Sequence, residues 1–225
     1  DQAINYFNQL EKILKNNIFH CYDKNREEID VFLEDYAYFS LLLISIYEIN
    51  NDENSLKKCL ELLKQTWSFF YDDENNLLQK NIKNSNDLFV KPIDIIDNNI
   101  PNGNSIFLLV CNKIFNITED NFWKDKIDTL KKSYHSSINN HYSQMFSYIK
   151  ILDICDQNIT FTFNGDDKNL EDIRNKLLKK YFEKATFIHK KNSEENFVLI
   201  CKNQTCSEKL KNLNEVENYL NEKSV

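Results

Sequence analysis

Glycine and proline each occur only twice in 225 residues, as Gly103, Gly165, Pro92 and Pro101. A chain this poor in both has few ways to build tight left-handed turns or a glycine-cradled phosphate site. Neither GxxxxGK[ST] nor GxGxxG appears, which excludes a P-loop and a dinucleotide-binding turn. At 41% hydrophobic and 13% aromatic residues the chain still carries enough apolar side chain for a real core.

Periodicity places helices first. Over residues 1–17, Ala3, Phe7, Leu10 and Leu14 form one stripe, and residues 33–50 are apolar on nearly all sides, as an inner helix would be. Ser55 is a candidate cap for a third helix carrying Leu56, Cys59, Leu63, Trp67 and Phe70, ended by the polar cluster 72–76. Residues 77–104 lack helical periodicity, and a connection this long is usually functional or docked. Further helices are expected from Ser105, over 120–139 and over 141–155, so that residues 1–156 read as antiparallel helical hairpins. From residue 157 the pattern changes. Ile159, Phe161 and Phe163 alternate with threonines as a strand, a helix follows through Leu170, Ile173, Leu177 and Tyr181, and residues 185–189 and 197–201 read as two more strands before an amphipathic tail at 213–221. The expected fold is mainly α with a small α/β appendage over 157–225. Residues 18–32, with Phe19, His20 and Tyr22, read as a loop or short hairpin.

The formal charge of −7 and the near absence of arginine, Arg26 and Arg174 alone, argue against a nucleic-acid partner. The longest apolar stretch, residues 36–47, is too short for a bilayer that needs about 20 residues, so no membrane partner is expected. With no basic leader, a soluble cytoplasmic protein is the expectation. Asp1 as first residue and Met145 as sole methionine suggest that an N-terminal part of the protein is missing. Sequons at Asn116, Asn158 and Asn203 match what asparagine abundance gives by chance. The six cysteines show no zinc or redox spacing and read mostly as reduced core thiols; Cys201 and Cys206 flank a turn, a disulfide or a metal pair. The histidines form no HExxH or HxxxH group, and neither a metal nor a cofactor is expected.

Three segments carry a resemblance. They are Phe32-Leu33-Glu34-Asp35-Tyr36-Ala37, then Asp97 followed by Pro101-Asn102-Gly103-Asn104-Ser105, and last Val198-Leu199-Ile200-Cys201-Lys202-Asn203-Gln204-Thr205-Cys206-Ser207. Their order and spacing resemble the C-terminal part of the thioredoxin-domain-containing, spermatogenesis-associated protein family. The resemblance implies that the helical hairpins form part of an α/α toroid similar to six-hairpin glycosidases and N-acylglucosamine 2-epimerases, about half of the ring. The sequence departs from the family at Glu34, where Asp is usual, at Asn98, where Gly often stands, at Asn102 in place of Ser, and in lacking a proline after Cys206. The family's thioredoxin-like cysteine motif has no counterpart, so no redox chemistry is carried over.

In such a toroid the starts of inner helices face a central funnel. The resemblance therefore implies a polar pocket lined by Glu34, Asp35, Tyr36, Asp97 and Asn104, with Asp35 and Asp97 as candidate acid/base carboxylates and Tyr36 or Tyr38 stacking on a carbohydrate. The same residues also read as ordinary helix caps, with Glu34 or Asp35 starting one helix and Asn104-Ser105 another. Two functions remain open: a toroid that binds or converts a small carbohydrate, and a non-catalytic helical scaffold or protein-interaction module.

Overall fold

The computed structural model describes residues 2–14, 18, 20, 31–83, 92–191, 195–202 and 205–222. Most of the expected loop at 18–32, and the Asn203 sequon, lie outside these residues. Among the described residues the chain is mainly helical, with helices α1 (Gln2–Leu14), α2 (Leu33–Asn50), α3 (Glu53–Phe70), α4 (Gly103–Thr118), α5 (Asn121–His141) and α6 (Phe146–Asp156) forming the first part. A short antiparallel pair, β1 (Tyr71–Asp72) and β2 (Leu77–Leu78), follows α3, so the polar cluster at 72–76 is a hairpin turn with Asn76 at φ 55°.

Two helical hairpins form the frame. Asn51 (φ 58°) and Glu119 (φ 55°) turn the chain in the left-handed region at the ends of α2 and α4, and Asp52 and Asp120 then cap α3 and α5. Asp52 accepts from the Asn54 amide and, at 2.6 Å, from the Ser55 hydroxyl. Helix α3 therefore starts before Ser55, which supports the cap instead of being it. Helix α4 likewise begins at Gly103, capped by Asn102, whose side chain accepts from Ser105 N at 2.9 Å.

Helices α2 and α4 pack together as the inner pair and run parallel. At their starts, a Cβ on Gly103 would lie 2.8 Å from Leu33 Cγ and 3.2 Å from Glu34 N, so only glycine permits this approach. At their far ends Glu48 meets Lys113. The serines of α2 cause no polar conflict, because Ser40 and Ser45 donate to the carbonyls of Tyr36 and Leu41 one turn back. Helix α6 buries Tyr148 and Ile151 behind Met145, while Phe146 and Ile149 are exposed.

The second part holds β3 (Ile159–Asn164), α7 (Lys168–Tyr181), β4 (Ala185–Lys190), β5 (Phe197–Lys202), β6 (Thr205–Cys206) and α8 (Leu213–Glu222). The sheet order is β4-β3-β5-β6, with β3 parallel to β4 and antiparallel to β5. Phe161, Phe163 and Val198 pack on Ile173, Leu177 and Val216 in a cluster separate from the helical core. Thr160 and Thr162, on the other face of β3, are buried as well, so the strand's polar alternation does not mark an exposed side.

What joins the parts is polar. Lys113 Nζ lies 2.9 Å and 3.0 Å from the two Glu48 carboxylate oxygens and donates to Ala185 O at 2.8 Å, while Phe187 N donates to Glu48 at 3.2 Å. The Glu48 side chain is fully buried and that of Lys113 is 6% exposed. Asn116 and Asn158 add a reciprocal amide pair at 2.7 and 2.9 Å. No helix among the described residues is long and apolar enough to cross a membrane.

Removing one member of a buried ion pair strands the other. Lys113→Met is expected to destabilise the chain by about 3–5 kcal/mol in denaturant melts. Adding Glu48→Gln should recover a measurable part of that loss, since the neutral amide still accepts from Phe187 N.

Candidate functional site

The parallel starts of α2 and α4 place a cavity of about 700 Å³ between the first turn of α2, the 92–102 segment and α1. Its formation follows from backbone pairing. Leu33 N donates to Lys80 O at 2.9 Å and Lys80 N donates to Pro92 O at 2.7 Å, so the residues just after β2 and those from Pro92 are drawn alongside the entry to α2. Lys80 and Asp94 thereby face the helix start and pair at 3.1 Å, with Lys80 Nζ 5.8 Å from the Phe32 ring centre. Glu34, Asp35, Tyr38, Lys80, Asp94 and His20, with asparagines of the 98–102 stretch, supply the polar lining, and Phe32, Phe39, Ile96 and Ile100 much of the apolar one.

Glu34 and Asp35 reach the cavity as the sequence suggests, in different states. Asp35 accepts from Phe32 N at 2.8 Å, closing the first turn of α2, and holds His20 Nδ1 at 3.1 Å. It is thus both a cap and part of the cavity wall. Among the described residues, buried Glu34 Oε2 has no hydrogen-bond partner. Burial pushes the Glu34 carboxyl up from the ordinary glutamate value, Asp94 and Asp35 push the same way, and its own backbone amide and Lys80 only partly oppose this. A carboxyl in that condition can carry a proton or give a hydrogen bond at a pH where most glutamates cannot.

The other three expected residues turn elsewhere. Tyr36 is 200° around the helix from Glu34, because two residues advance an α-helix by that angle. Its ring packs edge-on against Phe69 and Phe70 at 6.1 and 5.3 Å, in the core. Tyr38, one turn beyond Glu34 on the same face, is the tyrosine that lines the cavity, and its hydroxyl donates to Pro101 O at 3.1 Å. Asp97 accepts from Asn102 N and Nδ2 at 3.1 and 3.0 Å and from Ser147 N at 2.7 Å, so it clamps the loop to the start of α6. Asn104 is fully buried: its side chain accepts from Leu78 N at 2.8 Å and donates to Leu78 O at 2.7 Å, replacing a neighbouring strand for β2. Asp97 and Asn104 therefore shape the cavity wall from behind.

Sequence reasoning missed Lys80, Asp94 and the His20 contact. For Lys80 and Asp94 no local signal exists, since both come from a segment without periodicity. Among the described residues no cluster of three or more His, Cys, Asp or Glu is placed to hold a metal ion. Cys201 and Cys206 form a disulfide, and Cys59 and Cys111 are buried thiols.

Two measurements follow. Asn104→Ala leaves the Leu78 amide and carbonyl unpaired in the interior and is expected to cost about 2–4 kcal/mol by chemical denaturation. For Glu34 the native carboxyl binds its proton more readily than the unfolded one. Folding stability therefore increases as pH falls through the window from the raised native value toward the ordinary one, and Glu34→Gln should flatten that slope in melts across pH 4–7. The chain matches no protein-family model, and a search of the curated proteins finds no match.

Proposed function

We propose that this chain is part of an α/α toroid of the thioredoxin-domain-containing family, and that the cavity at the starts of α2 and α4 binds, and in the intact protein converts, a small carbohydrate. The observation that carries the reading is Glu34, whose unpartnered carboxyl oxygen and raised proton affinity sit in a cavity of about 700 Å³. Parallel inner helices with short-looped outer partners support the toroid, because their starts then open on one side. Sugar hydroxyls need donors and acceptors together, and Glu34, Asp35, Asp94, Lys80 and Tyr38 offer both beside the apolar faces of Phe32 and Phe39. In this reading Glu34 is the proton-carrying group, in place of Asp35 and Asp97, whose oxygens are already engaged by backbone amides.

The scaffold reading draws on the internal partners of Tyr36, Asp97 and Asn104. Titration with mono- and disaccharides separates the two. A cognate sugar at a hundredfold excess over its Kd should stabilise the chain by about 2.7 kcal/mol in thermal melts. Glu34→Gln should remove that shift, whereas Lys191→Gln, distant in the second part, should not. A panel without any sugar-dependent shift leaves the scaffold as the function.

A further inference from the structure

At the far end of the sheet lies a sulfur pair with no part in the cavity. Cys201 and Cys206 oppose each other across β5 and β6 and are joined as a disulfide. Cys206 is exposed and Cys201 only partly so. Cys59, Cys111 and Cys155 are free thiols, and burial pushes all of them up, Cys155 to about 11, so they stay protonated near neutral pH.

The hairpin does not lean on the sulfur bond. Ser207 N donates to Ile200 O at 2.9 Å, and Ile200 N donates to the Ser207 hydroxyl oxygen at 3.0 Å. Val198 and Leu210 exchange both backbone bonds, at 2.8 and 3.0 Å, and Leu210 is buried in the sheet's apolar cluster. Lys209 ties the rim by bonding Glu195 and lying 4.7 Å from the Phe197 ring centre. The bridged residues are 5 apart in sequence, so the closed loop removes little unfolded-chain entropy compared with a long one. A solvent-facing disulfide over an independently held ladder can open without unfolding what lies beneath.

We propose that Cys201 and Cys206 form a reversible thiol–disulfide exchange site for a low-molecular-weight thiol such as glutathione, with Cys206 the sulfur attacked and Cys201 the leaving and resolving thiol. The incoming thiolate bonds to Cys206 Sγ, the bond between the two cysteines breaks, and its electron pair leaves on Cys201 Sγ, which takes a proton from water. A second thiolate attacks the outer sulfur of the mixed disulfide and frees Cys206, which is protonated in turn. Two thiols are thus oxidised to one small disulfide while the protein pair gains two electrons and two protons; the reverse sequence closes it again.

The whole chain is equilibrated with reduced and oxidised glutathione in set ratios, acid-quenched, alkylated and weighed by mass spectrometry. Reversible interconversion is expected, with unchanged far-UV circular dichroism and a melting temperature that moves by less than about 5 °C. Cys201→Ser should take up glutathione on Cys206 about tenfold faster than Cys206→Ser takes it up on Cys201, following access to the sulfur. A disulfide untouched by excess glutathione in the native chain overturns the proposal, as does a reduced chain, or a Cys201→Ser/Cys206→Ser double variant, that loses its sheet signal. Equal uptake by the two single variants overturns the assignment of Cys206.

Discussion

The Glu48–Lys113 pair is the constraint on which the arrangement of the molecule depends. A fully buried carboxylate costs far more to desolvate than an exposed one, and it persists here because all its strong partners are fixed: one ammonium and the Phe187 amide. Lys113 in turn holds Ala185 O. Glu48 and Lys113 belong to α2 and α4, and Ala185 and Phe187 to β4, so one polar knot sets the spacing of the inner helices and the seat of the sheet. At the opposite end the same two helices approach closely through Gly103 and Leu33. Charge fixes one end of the pair and lack of volume the other.

The cavity owes its electrostatics to that parallel alignment. Two helix starts with partly positive ends point toward one space, and the carboxyls of Glu34, Asp35 and Asp94 gather there. Asp35 is absorbed by Phe32 N and His20, and Asp94 by Lys80, which leaves Glu34 as the carboxyl with an oxygen to spare. A ligand with hydroxyl groups would complete that oxygen, which explains why the cavity, more than any loop, carries the functional reading.

Much of the fold was legible because it rests on periodicity. The all-round apolar character of residues 33–50 announced an inner helix, and the alternation of Ile159, Phe161 and Phe163 announced β3. The helix starts were harder, because Asp52 and Asn102 cap from positions just outside the apolar pattern. Of the site, the Glu34 and Asp35 pair was readable and Tyr36 was not distinguished from Tyr38, although helical geometry alone puts Tyr38 on Glu34's face. Lys80 and Asp94 reach the cavity through strand-like pairing around β2, a tertiary arrangement that local sequence does not encode. Asn104 was visible as a polar residue at a helix start, but its service as a substitute strand for Leu78 depends on a partner 26 residues away.

The pairing of Lys113 and Glu48 with Ala185 O and Phe187 N has a consequence for self-association. β4 is the outer strand on one side of the sheet, and these backbone groups on its open flank would otherwise be free to recruit a strand from another molecule. A lysine and a glutamate occupy them. On the other side the sheet ends in β6, two residues long, too short to template a further strand. On the β4 side, then, side chains that hold the molecule together also occupy edge groups that could otherwise pair with a neighbouring molecule.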